Sequence, residues 1–258
     1  MDFSICIEPI YQDKNFQDKC LELKNLGFSY IEFWSAEDKD WEWMKSELPI
    51  NVALFSGQRD GTTYLESDRV GYLQEIEKNI LRAKSIGVNT LMLLMDPLND
   101  TGGVDQPNSE IPWSKKLKET ITTLGEVGKL GEKYDFHFVF EPLNTRLDHP
   151  GYSLASTEKA IEVIKGVDSP RVKLLFDAYH MGMMGEDVYK QVVENLMYIG
   201  HIHLANWPGR TGPDSKGEFN FKKFISLLKE NNYQGFVGFE YFPEFDSIQS
   251  LNAIKELM

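Results

Sequence analysis

Four residues close short apolar runs in the second half of the chain: Glu141 in Phe-Val-Phe-Glu-Pro, Asp177 in Leu-Leu-Phe-Asp, His203 in His-Ile-His-Leu and Glu240 in Val-Gly-Phe-Glu-Tyr. A lone acid in that setting is more often a solvated or capping group. Four such endings on consecutive runs point instead to one shared site. Side chains alternate faces along a strand, so Val139 shares a face with Glu141, Leu175 with Asp177, His201 with His203, and Gly238 with Glu240. Three carboxylates brought together repel and raise one another's pKa unless a cation neutralises them. The arrangement therefore makes sense as a divalent metal site, with Glu141, Asp177, His203 and Glu240 as ligands. Oxygen-rich ligation with one imidazole suits Mn²⁺ or Mg²⁺, and Co²⁺ or Zn²⁺ stay open because affinity order does not choose among them.

Two further residues can reach over such a site. His180 stands three residues past Asp177 in Asp-Ala-Tyr-His and is expected in the loop above that run; Arg210 follows the next run in Asn-Trp-Pro-Gly-Arg. The competing readings are a loop histidine bonded to backbone and a solvated surface charge. His201, one layer deeper than His203, reads as a structural or supporting residue rather than a ligand.

Positioning these side chains requires a repeating scaffold, and the chain supplies one. Apolar runs of strand length occur at 4–8, 30–34, 51–55, 90–95, 137–142, 173–178, 199–206 and 236–241. Longer segments with helical spacing, such as 68–86 and 113–134, lie between them. Gly27, Gly87 and Gly235 each precede a run, where a left-handed residue would end a helix and turn the chain back. Eight βα units predict an α/β fold, a single (β/α)₈ TIM barrel over residues 1–258, whose active site lies at the C-terminal ends of the strands. No Gly-x-Gly-x-x-Gly follows the first run, so no nucleotide cofactor is expected. The stretch 99–112, rich in Asp, Gly and Pro, reads as a long loop that could form a lid.

Composition narrows the partners. Hydrophobic residues are 41% of the 258, enough for a large core, and the formal charge of −13 opposes binding to nucleic acid. Cys6 and Cys20 lack the Cys-x-x-Cys spacing of redox or zinc sites. No basic, apolar leader opens the sequence and no stretch approaches a membrane span, so a cytoplasmic protein without membrane contact is expected.

The motifs also carry a resemblance. Glu141-Pro-Leu-Asn-Thr-Arg with Pro150-Gly-Tyr, Phe176-Asp-Ala-Tyr-His180-Met, Ile199-Gly-His-Ile-His203 with Pro208-Gly-Arg210, Gly217-Glu-Phe-Asn and Gly238-Phe-Glu240-Tyr resemble the hydroxypyruvate isomerases. These are xylose-isomerase-like TIM barrels, a group that also includes ketose 3-epimerases and endonuclease IV. The likeness spans all eight units but is specific from about residue 137 onward. It implies metal ligation by Glu141, Asp177, His203 and Glu240, acid–base work by Glu141 and Glu240, and substrate contact from His180 and Arg210. It further implies an aldose–ketose type isomerisation of a small keto acid or sugar, such as hydroxypyruvate to tartronate semialdehyde or a 2-oxo-tetronate, by enediolate proton transfer, in a chain that can form a homodimer. One departure bears on the reaction: characterised hydroxypyruvate isomerases tend to carry Gln where His203 stands, whereas ketose 3-epimerases use His. A 3-epimerase of the D-tagatose/D-psicose type is the alternative expectation. An endonuclease IV-like nuclease is remote, because the acidic chain has no histidine before His137.

Overall fold

A computed structural model describes residues 1–258. Eight strands, β1 Asp2–Cys6, β2 Tyr30–Phe33, β3 Asn51–Ser56, β4 Thr90–Leu93, β5 His137–Phe140, β6 Val172–Asp177, β7 Ile199–Leu204 and β8 Phe236–Phe239, pair in parallel in chain order. β8 returns to β1 and closes the barrel. The expected (β/α)₈ architecture is therefore the observed one. Strands buried on both faces explain the continuous apolar runs that mark them in the sequence.

Nine helices lie outside the strands: α1 Phe16–Asn25, α2 Trp41–Glu47, α3 Glu66–Ser85, α4 Trp113–Tyr134, α5 Thr157–Val167, α6 Ala178–Met183, α7 Val188–Glu194, α8 Phe221–Glu230 and α9 Ser247–Lys255. Their starts follow capping chemistry. Asn15, Asp40, Ser156, Asn220 and Asp246 each accept a hydrogen bond from a free first-turn N–H. Gly27 and Gly87 adopt φ of +89° and +78° and return the chain to the barrel, as their positions predicted. Gly235 does not: the left-handed residue there is Asn232, with φ of +57°. Gly235 instead makes room for the Tyr233 ring, whose hydroxyl would lie 2.4 Å from an added Cβ.

Strand ends depart from the sequence expectation in a way that matters for the site. β4, β5 and β8 each stop two residues short of the apolar runs, so Glu141 and Glu240 stand one residue beyond their strands. Nor do the four candidate ligands share one register level. Asp177 pairs with His203 and His203 with Gly238, which leaves Glu240 two residues farther along. Strand tilt and the longer glutamate side chains bring the ends back together.

The loop after β4 is fixed to its neighbour: Val104 N–H donates to Pro150 O at 3.1 Å, and His149 Nδ1 lies 2.8 Å from Gly102 O. No helix is long and apolar enough to cross a membrane.

Candidate metal centre

Backbone contacts set each acidic side chain. Glu141 N–H donates to Leu93 O at 3.1 Å, and Tyr152 Oη donates to Glu141 O at 2.8 Å while accepting from Met95 N–H, tying the ends of β4 and β5 together. Asp177 caps α6 by accepting from His180 N–H through Oδ1 at 2.9 Å, which leaves Oδ2 outside the cap. Glu240 N–H donates to Leu204 O. One ligand atom each from Glu141, Asp177, His203 and Glu240 lies within 4.8 Å of the others, so the structure brings the four sequence-predicted residues together.

All four are at most 7% exposed, so water cannot carry their charges. Burial pushes the Glu141 carboxyl up, and the Glu240 charge adds to it. Burial and the Glu141 charge push Asp177 up to about 7. For Glu240, burial is outweighed by Arg210 and His203, and its carboxyl falls well below the usual range. Burial opposes a proton on His203, yet Glu32, Glu141 and Glu240 raise it well above the ordinary histidine value.

Within the four-residue set two buried atoms have no hydrogen-bond partner, Glu141 Oε1 and His203 Nδ1, and Arg210 Nε beside them has none either. Glu141 Oε1 and His203 Nδ1 are 3.6 Å apart, and Nδ1 is 3.0 Å from Glu240 Oε2 without hydrogen-bond alignment. Buried polar atoms are rarely left orphaned. Three carboxylates and one imidazole nitrogen converging in a buried site fit a divalent cation.

The structure also brings His180 and Arg210 to this site. His180 is in α6, not in a loop as its position past Asp177 had indicated, because Asp177 starts a helix at once. Asn144 Oδ1 accepts from Leu147 and Asp148 N–H, so its amide nitrogen faces His180 Nδ1 at 2.8 Å. That contact places the His180 proton on Nε2, 3.7 Å from Asp177 Oδ2. Burial and the Arg210 charge hold this histidine far below its ordinary pKa, so it is neutral. Arg210 Nη2 pairs with Glu240 Oε1 at 2.9 Å, and the guanidinium lies over the Tyr179 ring.

These groups open into a cavity of about 590 Å³, lined among others by Trp34, Arg59, Leu98, Glu141, His180, Arg210 and Glu240. Several of its residues escaped the sequence reading. Trp34 Nε1 donates to Glu240 Oε1 at 2.6 Å. Arg59 N–H donates to Glu75, while its guanidinium makes no hydrogen bond or ion pair within the protein. Glu32 accepts from His201 and His203. Its signal was available: a charged residue inside Tyr-Ile-Glu-Phe-Trp, a run otherwise apolar, needs a buried partner. His201 Nε2 lies 2.9 Å from Glu32 Oε1, and Glu32, His201 and His203 form a second group of side chains whose ligand atoms converge.

The sequence pattern of the xylose isomerase-like TIM barrel family matches residues 20–257. The chain belongs to this family. Within it, the chain is 32% identical over 253 residues to the hydroxypyruvate isomerase of Escherichia coli K12, covering 94% of this chain and 93% of that one. It is also 32% identical over 149 residues to a putative hydroxypyruvate isomerase of Xenopus laevis, covering 58% of this chain. The match spans about half (52%) of the Xenopus protein's length. Among solved folds, a family 2 AP endonuclease from Brucella melitensis superposes with a TM-score of 0.89 at 21% identity, over 99% of this chain and 98% of that one. That likeness shows the barrel alone.

Proposed function

We propose that this chain is an isomerase of the hydroxypyruvate isomerase kind, acting on a small keto acid or sugar with one divalent cation held by Glu141, Asp177, His203 and Glu240. The observation that carries the reading is the pair of orphaned buried atoms, Glu141 Oε1 and His203 Nδ1, inside a four-residue ligand set. The near full-length likeness to the E. coli isomerase supports the reaction class. When bound, the cation polarises a substrate carbonyl and its neighbouring hydroxyl and offsets negative charge that develops there.

The protein's own groups handle the proton. Glu141 and Glu240 line the cavity just past the ends of β5 and β8. One carboxylate takes the proton from the hydroxyl-bearing carbon and it is delivered to the adjacent carbon, while the hydroxyl proton passes to the former carbonyl oxygen, so that ketone and aldehyde exchange. His180 offers its Nε2–H to a substrate oxygen, and Trp34 and Arg210 hold Glu240 in place. Arg210 contacts substrate from the same wall. Arg59, with its guanidinium unpaired, is suited to grip a substrate carboxylate in two hydrogen bonds. Mn²⁺ or Mg²⁺ is the ion this donor set favours.

A second reading is a ketose 3-epimerase, in which the opposing glutamate returns the proton to the same carbon from the other face. His203, where characterised hydroxypyruvate isomerases tend to carry Gln, favours it. Proton NMR in D₂O separates the two, using chelator-treated protein with and without Mn²⁺, quenched before recording, on hydroxypyruvate, a 2-oxo-tetronate, fructose and tagatose. Cation-dependent deuterium uptake with the aldehyde isomer is the expected result. Inversion at C3 of a ketose would transfer the chain to the epimerases, and no exchange on any substrate would sink both.

A further inference from the structure

On the interior side of His203 lies a second cluster. Glu32 Oε2 is 2.7 Å from His203 Nε2, and Oε1 is 2.9 Å from His201 Nε2 and also accepts from Ser4 Oγ. Glu32, Ser4, His201 and His203 are all at most 3% exposed. Gly238 leaves the space this carboxylate occupies: a Cβ there would lie 2.5 Å from Glu32 Oε1, 2.9 Å from Oε2 and 2.8 Å from His203 Cδ2. An ionised carboxylate can only accept, so each imidazole must present Nε2–H to it. The other tautomer of His203 would set a ring lone pair against a carboxylate oxygen at 2.7 Å in a dry site.

We infer that Glu32 is a positioning residue for the metal centre: by holding the Nε2 proton of His203, it turns Nδ1 toward Glu141, Asp177 and Glu240, where a cation would replace the Nδ1 proton, and fixes the ring plane. Ser4 and His201 hold the carboxylate in turn, and Gly238 admits it. The inference rests on the proposed cation site. It assigns Nδ1 as the ligating nitrogen and makes Glu32 a determinant of metal affinity although it touches neither cation nor substrate. Glu32→Gln exchanges one acceptor oxygen for a donor, which cannot satisfy both imidazole N–H groups and Ser4 together.

Two measurements on the full chain test it. With ¹⁵N-histidine labelling and Zn²⁺ as a diamagnetic probe, long-range ¹H–¹⁵N spectra of the unaltered protein should show His203 protonated at Nε2 and metal-shifted at Nδ1. Mn²⁺ titration followed by electron paramagnetic resonance should show Glu32→Gln weakening binding by about ten- to a hundredfold, as losing such a support typically does. Asp177→Asn, which removes a proposed ligand outright, is the reference for loss of the site. Ligation through Nε2, or unchanged Mn²⁺ affinity in a folded Glu32→Gln, would overturn the role of Glu32 and leave the metal site standing. Failure of the unaltered protein to bind either ion would remove the site itself and the inference with it. Should Glu32→Gln not fold, the spectrum of the unaltered chain decides alone.

Discussion

His203 belongs to two clusters whose charges are met in opposite ways. On its Nε2 side, one carboxylate, Glu32, is faced by three donors and every oxygen is matched. On its Nδ1 side, three carboxylates face one guanidinium, one indole N–H and one imidazole nitrogen, and Glu141 Oε1, His203 Nδ1 and Arg210 Nε stay without partners. Both clusters are buried, the outer one at the floor of the cavity. A satisfied buried network rigidifies what it holds, whereas an unsatisfied one is costly unless something else binds there. The inner cluster is satisfied within the protein, and the outer one carries the donor set that the proposed cation would complete.

The largest expected effect breaks the outer cluster. Glu141→Gln or Glu240→Gln should lower turnover by about 10²- to 10⁴-fold, the usual range for a lost acid–base group, as read by the D₂O exchange assay. Next comes cation binding itself. With Mn²⁺ at a hundred times its dissociation constant, unfolding free energy should rise by about 2.7 kcal/mol over the chelated protein. Calorimetry should show that gain vanish in Asp177→Asn; a chelated protein as stable as the loaded one would break the comparison.

The clusters should also respond to pH with opposite signs in chelated protein. Glu32 is held far below its ordinary value of 4.5, since His201 and His203 outweigh burial. Its stabilisation is present above that value and is lost as pH falls below it. Asp177 is raised from 3.8 to about 7 by burial and Glu141, so its contribution is full below about pH 4 and is lost as pH rises through 7. Urea unfolding across pH should show Asp177→Asn flattening the slope between about 4 and 7. A slope there unchanged by the substitution would place the strain elsewhere.

Smaller still is the substrate grip. Arg59→Ala should raise KM for a keto acid by roughly tenfold or more, the worth of a charge-assisted hydrogen bond, and leave a neutral ketose unaffected. Outside both clusters, Glu37→Ala, which breaks half-exposed pairs with Lys78 and Arg82, should cost less than about 1 kcal/mol by urea unfolding.

Much of this was legible in the residue order. The helix expected over 113–134 is α4 to the residue, because its apolar spacing and the turn beyond Tyr134 agree. The strands were found, and only their ends drifted, since apolar residues continue past the last paired backbone group. His180 was misplaced because a six-residue helix carries too little periodicity to announce itself. Glu32, Trp34 and Arg59 were passed over because they come from β2 and the loops after β2 and β3, far in sequence from the motifs they serve.

Periodicity and strand-end chemistry therefore determined the barrel and the four residues that converge in it, because alternation and burial are local rules that one strand obeys without knowledge of the next. Which nitrogen of His203 faces the carboxylates, which oxygens lack partners, and which arginine is unpaired were decided only by closure of the barrel. Closure sets β2 and β7 side chains within 2.7 Å of each other across 171 positions of sequence, a distance no local pattern encodes.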